Sequence, residues 1–268
     1  MDLSKLHIIG TSHVAENSAK EIRDFMNHND VDVVCVELDR DRLYSLKNDL
    51  QSNFKMTNLS IIKRIGISGF IFAIIAHFVQ SRLGKKINVK PGLDMLSAVE
   101  SAEEYKIPVA LIDQNIDITL KNLSKKVPFR EKLKILKDLV LGMLGFKSAL
   151  MGIDIKKMDL KKVPPEKLIS DVLKKTKSVY PNLHKVLVED RNHHMVNRII
   201  YIMKKNPEFN VLVVIGAGHK EGMVEILEKK TEQKYNNKNT LKSNKDMTKI
   251  KNNSSYNYSY AFSQDSFF

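Results

Sequence analysis

Residues 31–38, VDVVCVEL, form a dense run of β-branched apolar side chains. Such a run is typical of a parallel strand that is covered on both faces. A shorter apolar run stands before it at residues 6–9, and apolar positions spaced by three and four between residues 14 and 28 predict a helix between the two runs. Strand, helix and strand in this order indicate a βαβ unit with parallel strands.

Two later apolar runs extend the pattern, at residues 108–112 and 210–215, and they predict a third and a fourth strand. Helical spacing fills most of the chain between the strands, at 39–58, 93–105, 116–126, 129–150, 183–205 and 217 to about 230. The sequence therefore predicts an α/β fold with a mainly parallel central sheet flanked by helices, and a helical insertion between the second and fourth strands.

The composition divides the chain into two parts. Residues 1–230 are expected to form one α/β domain, in which about 59–90 and 125–180 are the apolar helical insertion. Asn, Lys and Ser dominate residues 231–268, and a segment of this composition buries too little apolar surface to fold. The second part is therefore predicted to be a disordered tail.

Two strongly apolar segments lie in the insertion, at residues 65–79 and 139–151. The first is fifteen residues long and contains two Gly and one His, whereas a membrane span needs about twenty apolar residues. We expect the two segments to pack together as buried helices or to form a homo-oligomer contact. A helix lying on a membrane, or a short span, is the alternative.

The net charge of +13 has two explanations, an anionic partner or well-solvated surfaces in a lysine-rich chain. No nucleic-acid-binding motif accompanies the lysines, so we expect no nucleic-acid partner. Cys35 is the one cysteine and lies in the apolar run, which predicts a buried side chain and no internal disulfide. The first residues do not resemble a signal peptide. A cytoplasmic location is expected, with a membrane-peripheral one as the alternative.

Two matching turns carry the strongest functional signal, GTSH at residues 10–13 and GAGH at residues 216–219. Each follows an apolar strand and precedes a helix with an acidic residue in its first turn. The carboxyl ends of parallel strands line ligand sites, and helix N-termini offer free N–H groups to anions. His13 and His219 are therefore candidate bases, acids or metal ligands; as an alternative, both merely cap helices. The candidate substrate- or oxyanion-binding residues are Gly10, Thr11, Ser12, Gly216 and Gly218.

Two carboxylates end buried strands, Glu37 after the second strand and Asp113 after the third. A carboxylate in such a place is costly unless it is paired. Glu37 is a candidate to orient His13, to bind a metal ion or to activate water. Asp113 is a weaker candidate for the substrate side of the same site. Pairing with a lysine or arginine of a neighbouring helix is the alternative for both residues.

The helix predicted over residues 183–205 carries the run EDRNHH at 189–194. Arg191 is suited to bind a carboxylate or to stabilise developing negative charge. The adjacent His193 and His194 point about a quarter-turn apart on a helix and do not chelate together. No HExxH metalloprotease motif, P-loop or dinucleotide-binding fingerprint is present.

Six pieces of the chain resemble the TraB/PrgY family, within the TraB–Tiki–erythromycin-esterase-like group, and they follow its order over residues 6–227. They are IGTSHV at 9–14, VELD at 36–39 with Arg42, VKPGLDM at 89–95 with Ala98, LID at 111–113 with ITL at 118–120, EDR at 189–191 with Met195, and VIGAGH at 214–219 with Gly222. The chain departs from the family by having Asp94 in place of Glu and Gln114 in place of Arg.

The resemblance implies a hydrolase-like site, with one cleft lined by His13, Glu37, Glu189, Arg191 and His219. Some members of the wider group are described as metal-dependent proteases and others as esterases that use a histidine-activated water; PrgY-type members are associated with shutting down a peptide pheromone. We expect a hydrolase, metallopeptidase-like or esterase-like, that acts on a peptide or ester-like substrate.

In this hypothesis, His13 or His219 activates water, alone or on a divalent metal ion held by His13, Glu37 and His219. Arg191 stabilises the oxyanion and Glu189 orients a histidine. The alternatives are a non-catalytic protein that captures a small peptide or anion in the same cleft, and a membrane-associated regulator that acts through 65–79.

Overall fold

The computed structural model describes residues 2–11, 15–48, 66, 92–143 and 166–248. Its four strands are β1 (Leu6–Thr11), β2 (Val33–Val36), β3 (Val109–Leu111) and β4 (Val211–Gly216). They form one sheet in the order β1-β4-β2-β3, and every neighbouring pair is parallel. The last strand therefore lies between the first two, which is how the two glycine turns come to start at the same edge.

The described part of the chain contains nine α-helices, a short 3-10 helix at Leu3–Lys5, and a π-helical turn, Lys185–Glu189, that joins two of the α-helices. The α-helices are α1 (Ala15–His28), α2 (Arg40–Lys47), α3 (Leu93–Glu104), α4 (Ile116–Lys126), α5 (Phe129–Met143), α6 (Glu166–Val179), α7 (Pro181–His184), α8 (Asp190–Lys205) and α9 (Ala217–Thr248).

The core has two halves because side chains alternate between the two faces of each strand. Val34 and Val36 of β2 pack against α1 and α3 on one face. Val33 and Cys35 pack against α8 and the first turns of α9 on the other face. All four strand residues are buried. A parallel sheet covered by helices on both faces confirms the predicted α/β fold, and Cys35 is buried as expected.

Short polar side chains start the helices that leave the sheet. Asp39 follows β2 and caps α2, accepting hydrogen bonds from the N–H groups of Asp41 (2.9 Å) and Arg42 (3.1 Å). Asn115 follows β3 and caps α4 by accepting from the N–H of Asp117 at 2.8 Å. These caps begin α2 and α4 a few residues after β2 and β3 end.

The structure differs from the sequence-based expectation in two helices. The single helix predicted over 183–205 contains the π-helical turn at Lys185–Glu189, where the N–H of Asp190 reaches back to the carbonyl of Lys185. The helix expected to end near Lys230 continues to Thr248. The chain divides into two compact units, Met1–Leu227 and Glu228–Phe268, and the sheet belongs to the first.

Several predictions concern residues outside the described ranges. The insertion at 59–90, most of the apolar segments 65–79 and 139–151, and residues 249–268 of the predicted disordered tail are among them. Their packing, their proposed oligomer contact and the predicted disorder therefore stay predictions. Within the described ranges, no helix combines the length and the apolar character needed to cross a bilayer.

Candidate functional site

The site lies at the carboxyl edge of the sheet, where β1, β4 and β2 end side by side. The register pairs Thr11 with Gly216 on β1 and β4, and Val36 with Val214 on β2 and β4. Glu37, the residue after β2, turns its side chain toward the end of β4. Its Oε2 accepts a hydrogen bond of 2.7 Å from the backbone N–H of Gly216. The second glycine turn and the buried carboxylate are thus joined directly.

Arg191 connects the other residues of the site through its hydrogen bonds. An arginine has five N–H donors, and all five have acceptors here. Asp113 takes two of them in a bidentate pair, Nε to Oδ1 at 3.1 Å and Nη2 to Oδ2 at 2.7 Å. Glu37 Oε1 takes the other Nη2 donor at 2.6 Å. The two donors of Nη1 reach the carbonyl of Leu187 at 3.3 Å and Nε2 of His219 at 3.1 Å.

These charges are largely removed from water. The side chains of Arg191, Glu37 and Asp113 are 16%, 11% and 3% exposed. Burial opposes the charged form of Arg191, but its hydrogen bonds and the charges of Asp113 and Glu37 outweigh that effect and raise the pKa of the guanidinium. Arg191 is therefore a permanent cation that holds two carboxylates from two different strands.

His219 has a defined tautomer in this network. The guanidinium of Arg191 can only donate, so Nε2 of the neutral ring accepts and Nδ1 carries the hydrogen. Nδ1 lies 2.6 Å from Oδ1 of Asn192, which is the acceptor that this tautomer needs. Nε2 is also 3.3 Å from Glu37 Oε1. Burial lowers the pKa of the imidazole, Glu37 counteracts this and Arg191 adds to it, so the ring is neutral near pH 7.

A π-helical turn stands directly before the two residues of α8 that contact His219. A π-helical turn accommodates one extra residue, which rotates the following side chains by about 100° around the axis. Arg191 and Asn192 follow this turn directly, and the Leu187 carbonyl within it accepts one Arg191 hydrogen bond. Such turns occur often at functional sites.

Glu189, the other acidic candidate on this segment, makes different contacts. Its Oε1 lies 2.9 Å from Nζ of Lys177 and 3.4 Å from Nδ1 of His184. The Lys177 ammonium lowers the pKa of the Glu189 carboxyl. Glu189 thus lies next to a histidine, but that histidine is His184. The structure does not bring Glu189 into contact with Glu37, Arg191 or His219.

The first glycine turn is described only in part, because Ser12 and His13 lie outside the described ranges. Thr11, the last residue of β1, donates a hydrogen bond from its hydroxyl to Oδ2 of Asp94 in the first turn of α3. Both side chains are buried. The predicted substrate-binding hydroxyl of Thr11 is therefore bound to Asp94, and it fixes the strand end from which the His13 turn begins.

Gly10 and Gly216 each lie close to a neighbouring side chain. A Cβ on Gly10 would lie 3.1 Å from Cδ of Lys220, and one on Gly216 would lie 3.3 Å from Oε2 of Glu37. A side chain at residue 216 would therefore press against the carboxylate that accepts from its N–H at 2.7 Å. Gly218 lies half-buried in the first turn of α9.

Metal ligation does not fit the described part of the site. Carboxylates and an imidazole are common ligands of zinc. The Arg191 guanidinium, however, lies within 2.6–3.1 Å of Glu37, Asp113 and His219, so a protein cation already occupies the position between them. Among the described residues, no group of three or more His, Cys, Asp or Glu side chains is arranged to hold a metal ion.

Four further residues lie beside the network, and of these Asn192 has no signal in the sequence. Asn192 orients His219, but one amide in a helix matches no motif. Gly222 faces that amide: a Cβ at Gly222 would lie 2.5 Å from Nδ2 of Asn192.

Gln114 and Arg42 lie beside Asp113. The backbone N–H of Gln114 is 2.8 Å from the Asp113 carboxylate, and Nη1 of Arg42 is 3.9 Å from it. The Gln114 side chain is bound to Thr119 Oγ1 at 2.8 Å.

Comparison with known proteins supports the resemblance seen in the sequence. An uncharacterized protein of Methanocaldococcus jannaschii is 32% identical over 226 residues, which cover 84% of this chain and 53% of the relative. TraB domain-containing proteins of Mus musculus and Homo sapiens are 22% and 21% identical over 204 residues, which cover 72% of this chain and 51% of each relative. The chain spans about half the length of the curated relatives it matches.

A family model covers nearly all of the residues discussed above. The model of the TraB/PrgY/gumN family matches residues 2–238, which include the whole sheet and every residue of the network around Arg191. The chain belongs to the TraB/PrgY/gumN family.

Proposed function

We propose that this protein is a hydrolase that cleaves a small peptide or an ester-like substrate with a histidine-activated water. One observation carries the proposal: a neutral imidazole, a carboxylate and a guanidinium meet at the carboxyl edge of a parallel sheet, with Nε2 of His219 3.3 Å from Glu37 and 3.1 Å from Arg191. This edge is where α/β proteins bind their ligands.

His219 is the proposed base. Its lowered pKa keeps the imidazole in the form that accepts a proton at neutral pH. In the proposed reaction, a water molecule displaces Nη1 of Arg191 from the single lone pair of Nε2, its oxygen attacks the substrate carbonyl carbon and its proton moves to Nε2. The imidazolium that results lies next to Oε1 of Glu37 at 3.3 Å, so Glu37 stabilises the new positive charge.

The same proton transfer changes the hydrogen bonding of Arg191. Once Nε2 holds a proton, it no longer accepts the hydrogen bond from Nη1 of Arg191. That Nη1 donor becomes available to the oxyanion of the tetrahedral intermediate, together with N–H groups at the start of α9. The intermediate then expels the amine or alcohol, which takes the proton from Nε2. His13, two residues beyond β1 in sequence, is proposed as the second histidine of the site.

The test uses the purified full chain with peptide pools and chromogenic esters in water enriched in ¹⁸O. Cleavage by water places ¹⁸O in the product carboxylate, which mass spectrometry detects. His219→Gln and Glu37→Gln should each lower kcat/KM by at least about 100-fold. His193→Gln is the matched control, because His193 is exposed on α8. No turnover by the wild-type chain, or equal turnover by His219→Gln, would overturn the proposal.

A binding protein is the second candidate, and the saturation of Arg191 favours it. All five guanidinium donors have protein acceptors, so the network is complete without a ligand. Such a protein would capture a small peptide or an anion at this edge and release it unchanged. Calorimetry with the same peptide pools distinguishes the two candidates, since binding without cleavage supports capture and cleavage rejects it.

The setting of the reaction is proposed from the sequence. A cytoplasmic protein that acts on a peptide fits both the single buried cysteine and the finding that none of the described helices suits a bilayer. Fractionation of cells that express the tagged full chain tests this location, and recovery of the chain with the membrane fraction would contradict it.

A further inference from the structure

Asn192 is the most deeply buried polar residue beside His219, with 3% of its surface exposed. It stands on α8 next to Arg191, and the hydrogen bond of its side chain goes to His219 rather than to a carboxylate of the arginine network. Its Oδ1 accepts from Nδ1 of His219 at 2.6 Å, and its Nδ2 faces Gly222 of α9. The amide therefore lies between the imidazole and the backbone of the helix that carries it.

The orientation of this amide follows from its neighbours. Arg191 donates to Nε2, which leaves the hydrogen of the neutral ring on Nδ1. A hydrogen on Nδ1 requires an acceptor, and the Asn192 oxygen is the atom that meets this need at 2.6 Å. Turning the amide by 180° would place two donors against each other, Nδ2 and Nδ1. Arginine and asparagine thus select the same tautomer from opposite sides of the ring.

Gly222 makes room for the amide. A Cβ at this position would lie 2.5 Å from Nδ2 and 3.7 Å from Cγ of Asn192, and the first distance is far inside van der Waals contact. Glycine in the interior of a helix is destabilising, so a glycine facing a single side chain indicates a packing requirement. The helix that carries His219 is therefore shaped to admit Asn192.

We propose that Asn192 is a positioning residue for His219, whose amide oxygen holds the ring in the Nδ1–H tautomer and so keeps the lone pair of Nε2 at the edge shared with Glu37. The assignment of the tautomer stands on the contacts alone. Its consequence for catalysis rests on the proposed hydrolase function.

Spectroscopy tests the tautomer without any substrate. Long-range ¹H–¹⁵N correlation spectra of the full chain, labelled at histidine, distinguish protonated from unprotonated ring nitrogens, and the spectrum of His219→Gln identifies the His219 signals. We expect the wild-type ring to carry its hydrogen on Nδ1. Asn192→Ala should convert a substantial part of the ring to the Nε2–H form, and His193→Gln should change nothing. A wild-type ring in the Nε2–H form, or an Asn192→Ala ring entirely in the Nδ1–H form, overturns the proposal.

Asn192→Asp separates positioning from packing. The carboxylate still accepts from Nδ1, so the Nδ1–H tautomer should be retained, but its negative charge should raise the pKa of His219 in the NMR titration. Asn192→Ala should have no such charge effect. An aspartate variant in which both the tautomer and the titration midpoint equal those of the alanine variant would show that the amide has only a packing role.

Kinetics add a second readout if the protein is a hydrolase. Asn192→Ala should lower kcat by at least about tenfold with little change in KM, because a wrong tautomer removes the base without altering binding. In Asn192→Asp, the acid limb of the pH profile of kcat/KM should move to higher pH. If the wild-type chain shows no turnover, the proposed hydrolase function is wrong, and the NMR spectra still determine the tautomer of His219. If the wild-type chain shows turnover and Asn192→Ala has an unchanged kcat, the positioning role of Asn192 is wrong but the hydrolase function is not.

Discussion

The guanidinium of Arg191 binds the carboxylate of Asp113 with two near-parallel hydrogen bonds, 3.1 Å from Nε to Oδ1 and 2.7 Å from Nη2 to Oδ2. This pair joins helix α8 to the end of strand β3, and the remaining donors of the same guanidinium extend the connection to β2 and α9. One side chain thus connects four elements at the site, which makes it structurally important.

Arg191→Ala should destabilise the protein by about 3–5 kcal/mol, because the carboxylates of Glu37 and Asp113 would remain buried without their cation. Arg191→Lys should recover only part of the stability lost in Arg191→Ala, since an ammonium group cannot make the bidentate pair with Asp113. Urea unfolding followed by circular dichroism measures the difference. Arg198→Ala, at an exposed position on the same helix, should stay within about 0.5 kcal/mol of wild type. Equal stabilities for the two alanine variants would contradict the role of Arg191.

The two acidic residues expected at the active site should respond differently to loss of charge. Glu37→Gln removes the carboxylate next to His219 and should lower kcat/KM by at least about 100-fold. Glu189→Gln breaks a solvent-exposed pair with Lys177, for which little change in stability and little change in turnover are expected. Steady-state kinetics of both variants provide the comparison. A Glu189→Gln enzyme as inactive as Glu37→Gln would place Glu189 in the reaction after all.

The stability of the protein should depend on pH through His219. Burial lowers its pKa below the ordinary value of 6.5, so below about that pH the unfolded chain binds a proton that the folded chain does not. The contribution of this neutral ring is fully present above the unfolded pKa and is lost as the pH falls from there toward the folded pKa. Unfolding free energies at pH 7.5 and 5.5 measure the loss.

Burial is the largest cause of the lowered pKa values of His184 and His194. These two histidines therefore also make the protein less stable as the pH falls. The difference between the two pH values should therefore shrink, but not vanish, in His219→Gln. A variant whose stability changes with pH as much as that of wild type would show that His219 does not titrate in this range.

Gly222→Ala should destabilise the protein by about 1–3 kcal/mol, although alanine favours helices, because the new Cβ overlaps Nδ2 of Asn192 at 2.5 Å. In an Asn192→Ala background the same change should cost at least about 1 kcal/mol less, since the clashing atom is gone. Unfolding of the two single variants, the double variant and the wild type completes the cycle. Strict additivity of the two changes would argue against a direct contact.

Thr11→Val should destabilise the protein by about 1–3 kcal/mol, because it removes the hydroxyl that donates to the buried carboxylate of Asp94. Thr11→Ser keeps the hydroxyl and should lie much closer to wild type. Thermal unfolding of both variants measures the effect. If valine and serine had the same effect, the methyl group rather than the hydrogen bond would be what matters at this position.

The sequence predicts the sheet and most of the network because both depend on simple local patterns. Apolar runs locate the four strands, and polar residues just after such runs locate Glu37, Asp113 and the glycine turns. The common edge of parallel strands then indicates that these residues meet. The same reasoning predicts His219 at this edge, whereas Arg191 is expected there only from the family resemblance; their side chains lie 3.1 Å apart.

The same local patterns do not predict which contact each residue of the network makes. The helical period runs through residues 183–205 without a visible break, so the π-helical turn, and with it the separation of Glu189 from Arg191, has no sequence signal. Asn192 is one amide among polar neighbours. The full occupation of the Arg191 donors depends on distances between four elements, which no single segment of sequence contains.

The strand order β1-β4-β2-β3 has a consequence for how the chain folds during synthesis. Strand β4 lies between β1 and β2 and ends at Gly216, so β1 has no paired neighbour, and β2 pairs with β3 alone, until residue 216 has been made. Pairing over such long sequence separations is slow, and unpaired strand edges are prone to aggregate. His219 follows β4 directly, which means that completing the sheet and assembling the network around Arg191 are one and the same event.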